Sequence, residues 1–157
     1  MDNNLKLSLN ININSDLFEV WDTLTNPVKI KEYLFGADVI TDWQIGSQLI
    51  FQGEYQDRTY RDKGIILEFE KNRLLQYSYW SSFSGLEDKP ENYSIITFEL
   101  ETIQEHDIIH KKDINNKQVA LKLSQSGFDS EETRIHLETN WSNVLEKIKE
   151  ICERKRN

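Results

Sequence analysis

His136 and Asn140 stand four residues apart in a stretch with helical periodicity, so both project from one helix face. An imidazole beside a carboxamide can hold the polar end of a ligand. It can also act as a general base, but only where a nucleophile or a carboxylate lies within reach, and the spacing supplies neither. A hydrogen bond across the helix surface to a neighbouring loop would satisfy the pair equally well. Tyr77 and Tyr79, two apart in RLLQYSYWS, share one face of a strand. With Phe98 on another strand, Trp141 on the helix and Phe35 at the mouth, they could wall a cavity for an apolar or amphipathic small molecule. A core filled by these same aromatic rings is the plain alternative.

Other reactive residue types are present but poorly arranged. His106, Asp107, His110 and Asp113 include metal-ligating side chains, yet no third ligand is fixed by spacing, and no metal is expected. The lone cysteine, Cys152, precludes an intramolecular disulfide and falls on an apolar stripe, which suits a core thiol rather than a nucleophile. There is no Gly-rich phosphate loop, G-x-S-x-G or C-x-x-C. The carboxylate pairs Glu131-Glu132 and Glu68 with Glu70 fit helix capping and strand faces. The expectation is no catalytic residue and no cofactor.

These side chains need elements to hold them. In LKLSLNINI, residues 5–13, apolar and polar residues alternate strictly, the signature of a half-buried strand. Ser15 offers an N-cap for a short helix over 16–25, and Asn26-Pro27 opens a second one that Gly36 can end near Phe35. From Ala37 to about Gln125 the period is two, giving candidate strands at 38–43, 47–55, 59–70, 73–82, 92–102 and 118–125. Asp129-Ser130-Glu131-Glu132 reads as a capping box. Beyond it Leu137, Trp141, Val144, Leu145, Ile148, Ile151 and Cys152 form one stripe on a helix over 130–153, roughly 36 Å long. Arg154, Lys155 and Arg156 follow at its dipole-negative end. A stripe of that length must be buried, and a curved antiparallel sheet is the large apolar face available. The expected fold is therefore α+β, one domain over 1–157.

Composition narrows the partners. The 157 residues carry a net charge of −8, which repels phosphate and argues against nucleic acid and anionic membrane surfaces. No basic n-region with an apolar run opens the chain, and no window approaches a membrane span, so cytoplasmic residence is the default expectation. Without secretion the sequon Asn92-Tyr93-Ser94 has no consequence.

The element order resembles the START-like (SRPBCC) superfamily with its helix-grip fold. Local strings narrow the match: Val20-Trp21-Asp22-Thr23-Leu24-Thr25-Asn26-Pro27, Glu32-Tyr33-Leu34-Phe35-Gly36-Ala37, Asp42-Trp43-Gln44-Ile45-Gly46-Ser47 and Asp62-Lys63-Gly64. Arg73 to Trp80, Pro90-Glu91-Asn92-Tyr93, His136 and Asn140-Trp141 complete it. Together they resemble the small proteins related to the C-terminal domain of the heat shock protein 90 ATPase activator. The stretch Glu101 to Gln118 is longer than the family's short acidic hairpin, and Ser126-Gly127-Phe128 replaces its Asn-type residues. The resemblance implies six to seven strands wrapped around the long helix and a cavity between them, often used for apolar small molecules. A binding module is thus the first reading. A co-chaperone acting on a heat shock protein 90 type ATPase is the second, and a cyclase- or hydrolase-like enzyme the third.

Overall fold

The structure, a computed structural model, describes residues 5–103 and 117–154. The chain runs β1 (Lys6–Ile13), α1 (Leu17–Thr25), α2 (Pro27–Tyr33), β2 (Asp38–Ile40), β3 (Gln48–Tyr55), β4 (Arg58–Glu70), β5 (Leu74–Tyr79), β6 (Ser94–Thr102), β7 (Val119–Ser126) and α3 (Glu131–Cys152). One turn of 3-10 helix at Pro90–Asn92 lies between β5 and β6. The longer 101–118 segment falls largely outside the described residues, as do His106, Asp107, His110, Asp113, Lys155 and Arg156.

The strands form one antiparallel seven-stranded sheet in the order β1-β7-β6-β5-β4-β3-β2. Alternation sets which side of each strand faces the core. In β5, Leu75 and Tyr77 are buried; in β6, Ile96, Phe98 and Leu100; in β7, Val119, Leu121 and Leu123. A register shift between Ile66 and Glu68 makes Leu67 an extra residue in β4. Such a bulge bends the strand and increases its local twist, which helps a sheet to curve. This is the helix-grip arrangement that the resemblance implies.

Three local expectations are corrected. Asp16, not Ser15, caps α1: its carboxylate accepts from the Glu19 N–H at 2.8 Å. Ser130, not Asp129, caps α3, accepting from the Thr133 N–H at 3.1 Å. In both places two capping-competent residues are adjacent, and the one with extended backbone directly before the helix takes the role. The strand expected over 38–43 stops at Ile40, because Trp43 adopts φ 58 as the chain turns toward β3. Asn26 does cap α2, accepting from the Val28 N–H at 3.0 Å ahead of Pro27.

Helix α3 is buried unevenly. Val144, Leu145, Ile148, Ile151 and Cys152 are buried against α1 and the sheet. Each such aliphatic side chain contributes roughly 1.5–3 kcal/mol by leaving water. The same end is tied by polar contacts: Lys149 Nζ donates to the Asn12 carbonyl at 2.9 Å, and the Asn14 N–H donates to Glu153 Oε2 at 2.7 Å. Arg154 pairs with Glu32 of α2. Toward its N-terminus the helix loosens, with Leu137 and Trp141 only half-buried. No described helix is long and apolar enough to cross a membrane.

Candidate ligand pocket

Where α3 loosens, a pocket of about 580 Å³ opens between the helix and the sheet. That lies within the roughly 300–1,000 Å³ usual for small-molecule sites. Leu137, Asn140, Trp141 and Val144 line it from α3, and Phe51, Tyr77, Ile96 and Gln125 from the sheet. Phe35 and Phe83 border it from the loops after α2 and β5.

The aromatic wall is continuous. Phe51 meets Tyr77 at 5.9 Å and Tyr79 at 6.1 Å between ring centroids, and Tyr77 meets Phe98 at 6.5 Å. Phe98 in turn receives Trp141 edge-on at 5.9 Å. Trp141 is oriented by its indole N–H, which donates to Gln125 Oε1 at 2.7 Å; Gln125 Nε2 donates to Ser94 Oγ at 2.9 Å.

The polar end is built around Asp62. Its Oδ2 accepts from the Tyr79 hydroxyl at 2.6 Å, and its Oδ1 accepts from the Ser82 N–H at 2.8 Å and the Ser82 hydroxyl at 3.0 Å. Gly64 makes this possible: a Cβ there would stand 1.6 Å from the Ser78 carbonyl oxygen. Only glycine lets β4 approach β5 so closely. The loop carrying Phe83 is held over this end by Lys63–Asp88 at 2.5 Å, Tyr93 hydroxyl to Asp88 at 2.5 Å, and Trp80 indole N–H to the Leu86 carbonyl at 3.1 Å. Phe83 packs on Tyr60 at 5.6 Å.

Burial pushes the Tyr77 hydroxyl well above the ordinary phenol range, and burial together with the adjacent Asp62 does the same for Tyr79. Both remain neutral donors at physiological pH. Tyr79 spends its proton on Asp62. Tyr77 lines the pocket at 5% exposure, and its hydroxyl has no hydrogen-bond partner among the described residues.

Of the residues singled out from sequence, Phe35, Tyr77, Tyr79, Asn140 and Trp141 come together around the pocket. Phe98 stands behind Trp141 and does not line it. His136 is exposed, away from the lining, and makes no hydrogen bond with a described residue. The polar positions Asp62, Ser94 and Gln125 were missed. Each lies at the inward parity of its strand and is buried, a polar residue where alternation calls for an apolar one. That mismatch was their available signal. Among the described residues no cluster of His, Cys, Asp and Glu could hold a metal. Cys152 is buried, its thiol 3.4 Å from Thr23 Oγ1, and burial raises its pKa to about 11.

The protein ChR145 from Cytophaga hutchinsonii is 37% identical in sequence, with 98% of this chain and 97% of that chain covered at a TM-score of 0.78. MLL2253 from Mesorhizobium loti (18% identity, 98% and 100% covered, TM-score 0.73) shares the fold. So does the Aha1 dimer from Colwellia psychrerythraea (15% identity, 98% and 99% covered, TM-score 0.70). No curated protein matches the chain. The family described as activator of Hsp90 ATPase homolog 1-like protein matches residues 16–153, nearly the whole of the element order set out above, and the chain belongs to that family.

Proposed function

We propose that this protein is a binding module that takes a small apolar or amphipathic molecule between the sheet and the N-terminal half of α3. The observation that carries the reading is the pocket itself. Helix α3 is tightly packed from Val144 to Cys152, yet from Leu137 to Trp141 it borders about 580 Å³ of open space. A helix whose sole task was to close a core would fill that space, since interiors pack densely. Tyr77 adds support: it lines this space, and its hydroxyl pairs with no described residue, so it can donate to a ligand. Phe35, Tyr79, Asn140 and Trp141 would complete the contact surface; His136 and Phe98 lie outside the lining.

A panel of apolar and amphipathic metabolites tests this by thermal shift and tryptophan fluorescence. A ligand at a hundred times its Kd stabilises the native state by about 2.7 kcal/mol. For a chain of this size that raises Tm by roughly 5–10 °C. Tryptophan emission should change in parallel, and that change should be lost in a Trp141→Phe variant, since the other three tryptophans are not in the pocket lining. A panel with no thermal shift and no fluorescence response would sink the reading.

The family match favours a second reading, regulation of an Hsp90-type chaperone. The net charge of −8 suits a basic patch on such a partner. Stimulation of the cognate chaperone's ATPase by the full chain supports it; no stimulation and no co-purification argue against it. A cytoplasmic site of action belongs to both readings, and the free thiol of Cys152 agrees with a reducing compartment. Cell fractionation checks that point.

A further inference from the structure

We propose that the pocket selects a cationic occupant, an amine or ammonium compound with an apolar body, whose positive group rests against Asp62. The inference builds on the binding reading above and adds the charge of the ligand.

Asp62 is 7% exposed, and the carboxylate takes three hydrogen bonds from Tyr79 and Ser82. Those bonds hold it in place without neutralising it. It forms no ion pair with a described residue; its neighbour Lys63 is committed to Asp88 at 2.5 Å. Buried carboxylates are ordinarily matched by a cation, because an isolated charge is costly away from water. The rest of the lining does not supply one. Among the described residues, the ionisable ones in the lining other than tyrosine are acidic, Glu54 and Asp62, with no lysine, arginine or histidine. A fatty acid or a phosphate ester would therefore meet like charge at the polar end.

The aromatic lining favours the same sign. Tyr60, Tyr79, Phe83 and Trp141 line the space, and a cation within about 6 Å of the face of such a ring is attracted to it. The chain already makes that contact at the rim, where the Arg58 guanidinium stands 5.0 Å from the centre of Phe83. The Tyr77 hydroxyl, which pairs with no described residue and belongs to the pocket lining, offers a donor to an acceptor elsewhere on the ligand.

The test uses matched probes with one body and three charges: phenylbutylamine, phenylbutanol and phenylbutyrate, titrated into the full chain at pH 7 by NMR or calorimetry. The amine should bind about tenfold tighter than the alcohol, and the acid weakest. Asp62→Asn should abolish the amine's preference while leaving alcohol binding within about threefold. Should that variant fail to fold, Glu54→Lys at the exposed rim should weaken the amine and strengthen the acid. Equal or tighter binding of the alcohol or the acid overturns the charge inference while leaving the pocket reading intact. Silence from all three overturns it as well, and the pocket reading then falls only if the wider panel is also silent.

Discussion

Replacing Gly64 by alanine should break the polar end of the pocket and cost far more than an ordinary Gly→Ala change in a strand. The added Cβ would lie 1.6 Å from the Ser78 carbonyl oxygen, against a comfortable C···O approach of about 3.3 Å, so β4 and β5 must part by roughly 1.5 Å. That separation removes the reciprocal Lys63–Trp80 backbone pair, at 3.0 and 2.8 Å, and the Ile65 N–H bond to Ser78 Oγ at 3.0 Å. Three net hydrogen bonds are worth about 3 kcal/mol, and residual overpacking adds about 1–3. The alanine's smaller unfolded-state entropy returns about 0.4–1 kcal/mol. The net loss is about 4 kcal/mol, which lowers Tm by roughly 8–16 °C. Urea denaturation followed by circular dichroism measures it. Gly53→Ala is the control: its Cβ meets no backbone, only the Tyr60 side chain, the hydroxyl at 2.9 Å and ring carbons at 3.2 and 3.3 Å, which can turn aside, and the expected loss is below about 1 kcal/mol. A Gly64→Ala protein within about 1 kcal/mol of the parent would refute the claim that glycine there sets the strand spacing.

Trp141→Phe should cost about 1–3 kcal/mol in chemical denaturation, because the buried Gln125 carbonyl loses its indole donor while the ring packing on Phe98 largely survives. His136→Ala should leave stability within about 0.5 kcal/mol and any ligand affinity unchanged, since the imidazole is exposed and apart from the pocket lining. The Cys152 thiol should resist a disulfide reagent at pH 8 in the native protein and react at once in urea. Its pKa is raised by burial from 9.0 to about 11, so the unfolded chain releases that proton first. Its stabilising contribution is present below pH 9 and lost as pH rises toward 11; a denaturation series over that window should show a shallower fall in Cys152→Ala.

Periodicity made most of the architecture legible. The alternation of Leu7, Leu9, Ile11 and Ile13 marks β1, and the stripe from Leu137 to Cys152 marks α3, because burial on one face repeats with the backbone geometry. Periodicity gives the side a residue faces and is silent on depth. Hence Leu137 and Trp141 belonged to the same stripe as Ile148, yet they border open space while Ile148 is 0% exposed. His136 and Asn140 shared a face in sequence, but only Asn140 reaches the pocket: Leu137 already lines it, and His136 lies about 100° around the helix from Leu137, on the solvent side. The Asp62 site needed information from strand pairing: Ser82 and Tyr79 meet it through the β4–β5 register, about twenty residues away in sequence. Gly64 stood within a recognisable string, but its role depends on the carbonyl of Ser78 across the ladder.

The pairing of β1 with β7 has a consequence for the chain during synthesis. Ile13 lies against Val119 and Lys6 against Ser126, so the first strand finds its partner only after more than a hundred further residues. At about 5–20 residues per second a ribosome takes roughly 5–20 s to supply them. For that interval the Leu7–Ile13 face has no sheet to join, and α3, which also packs over β1, is still to come. The other six strands can pair with sequence neighbours as they emerge, whereas β1 and α3 close the fold together at the end. The closing step should therefore be slower than the hairpins that precede it, because it waits on this one distant pairing. The alternating apolar face of β1 is the segment a nascent-chain chaperone would find waiting.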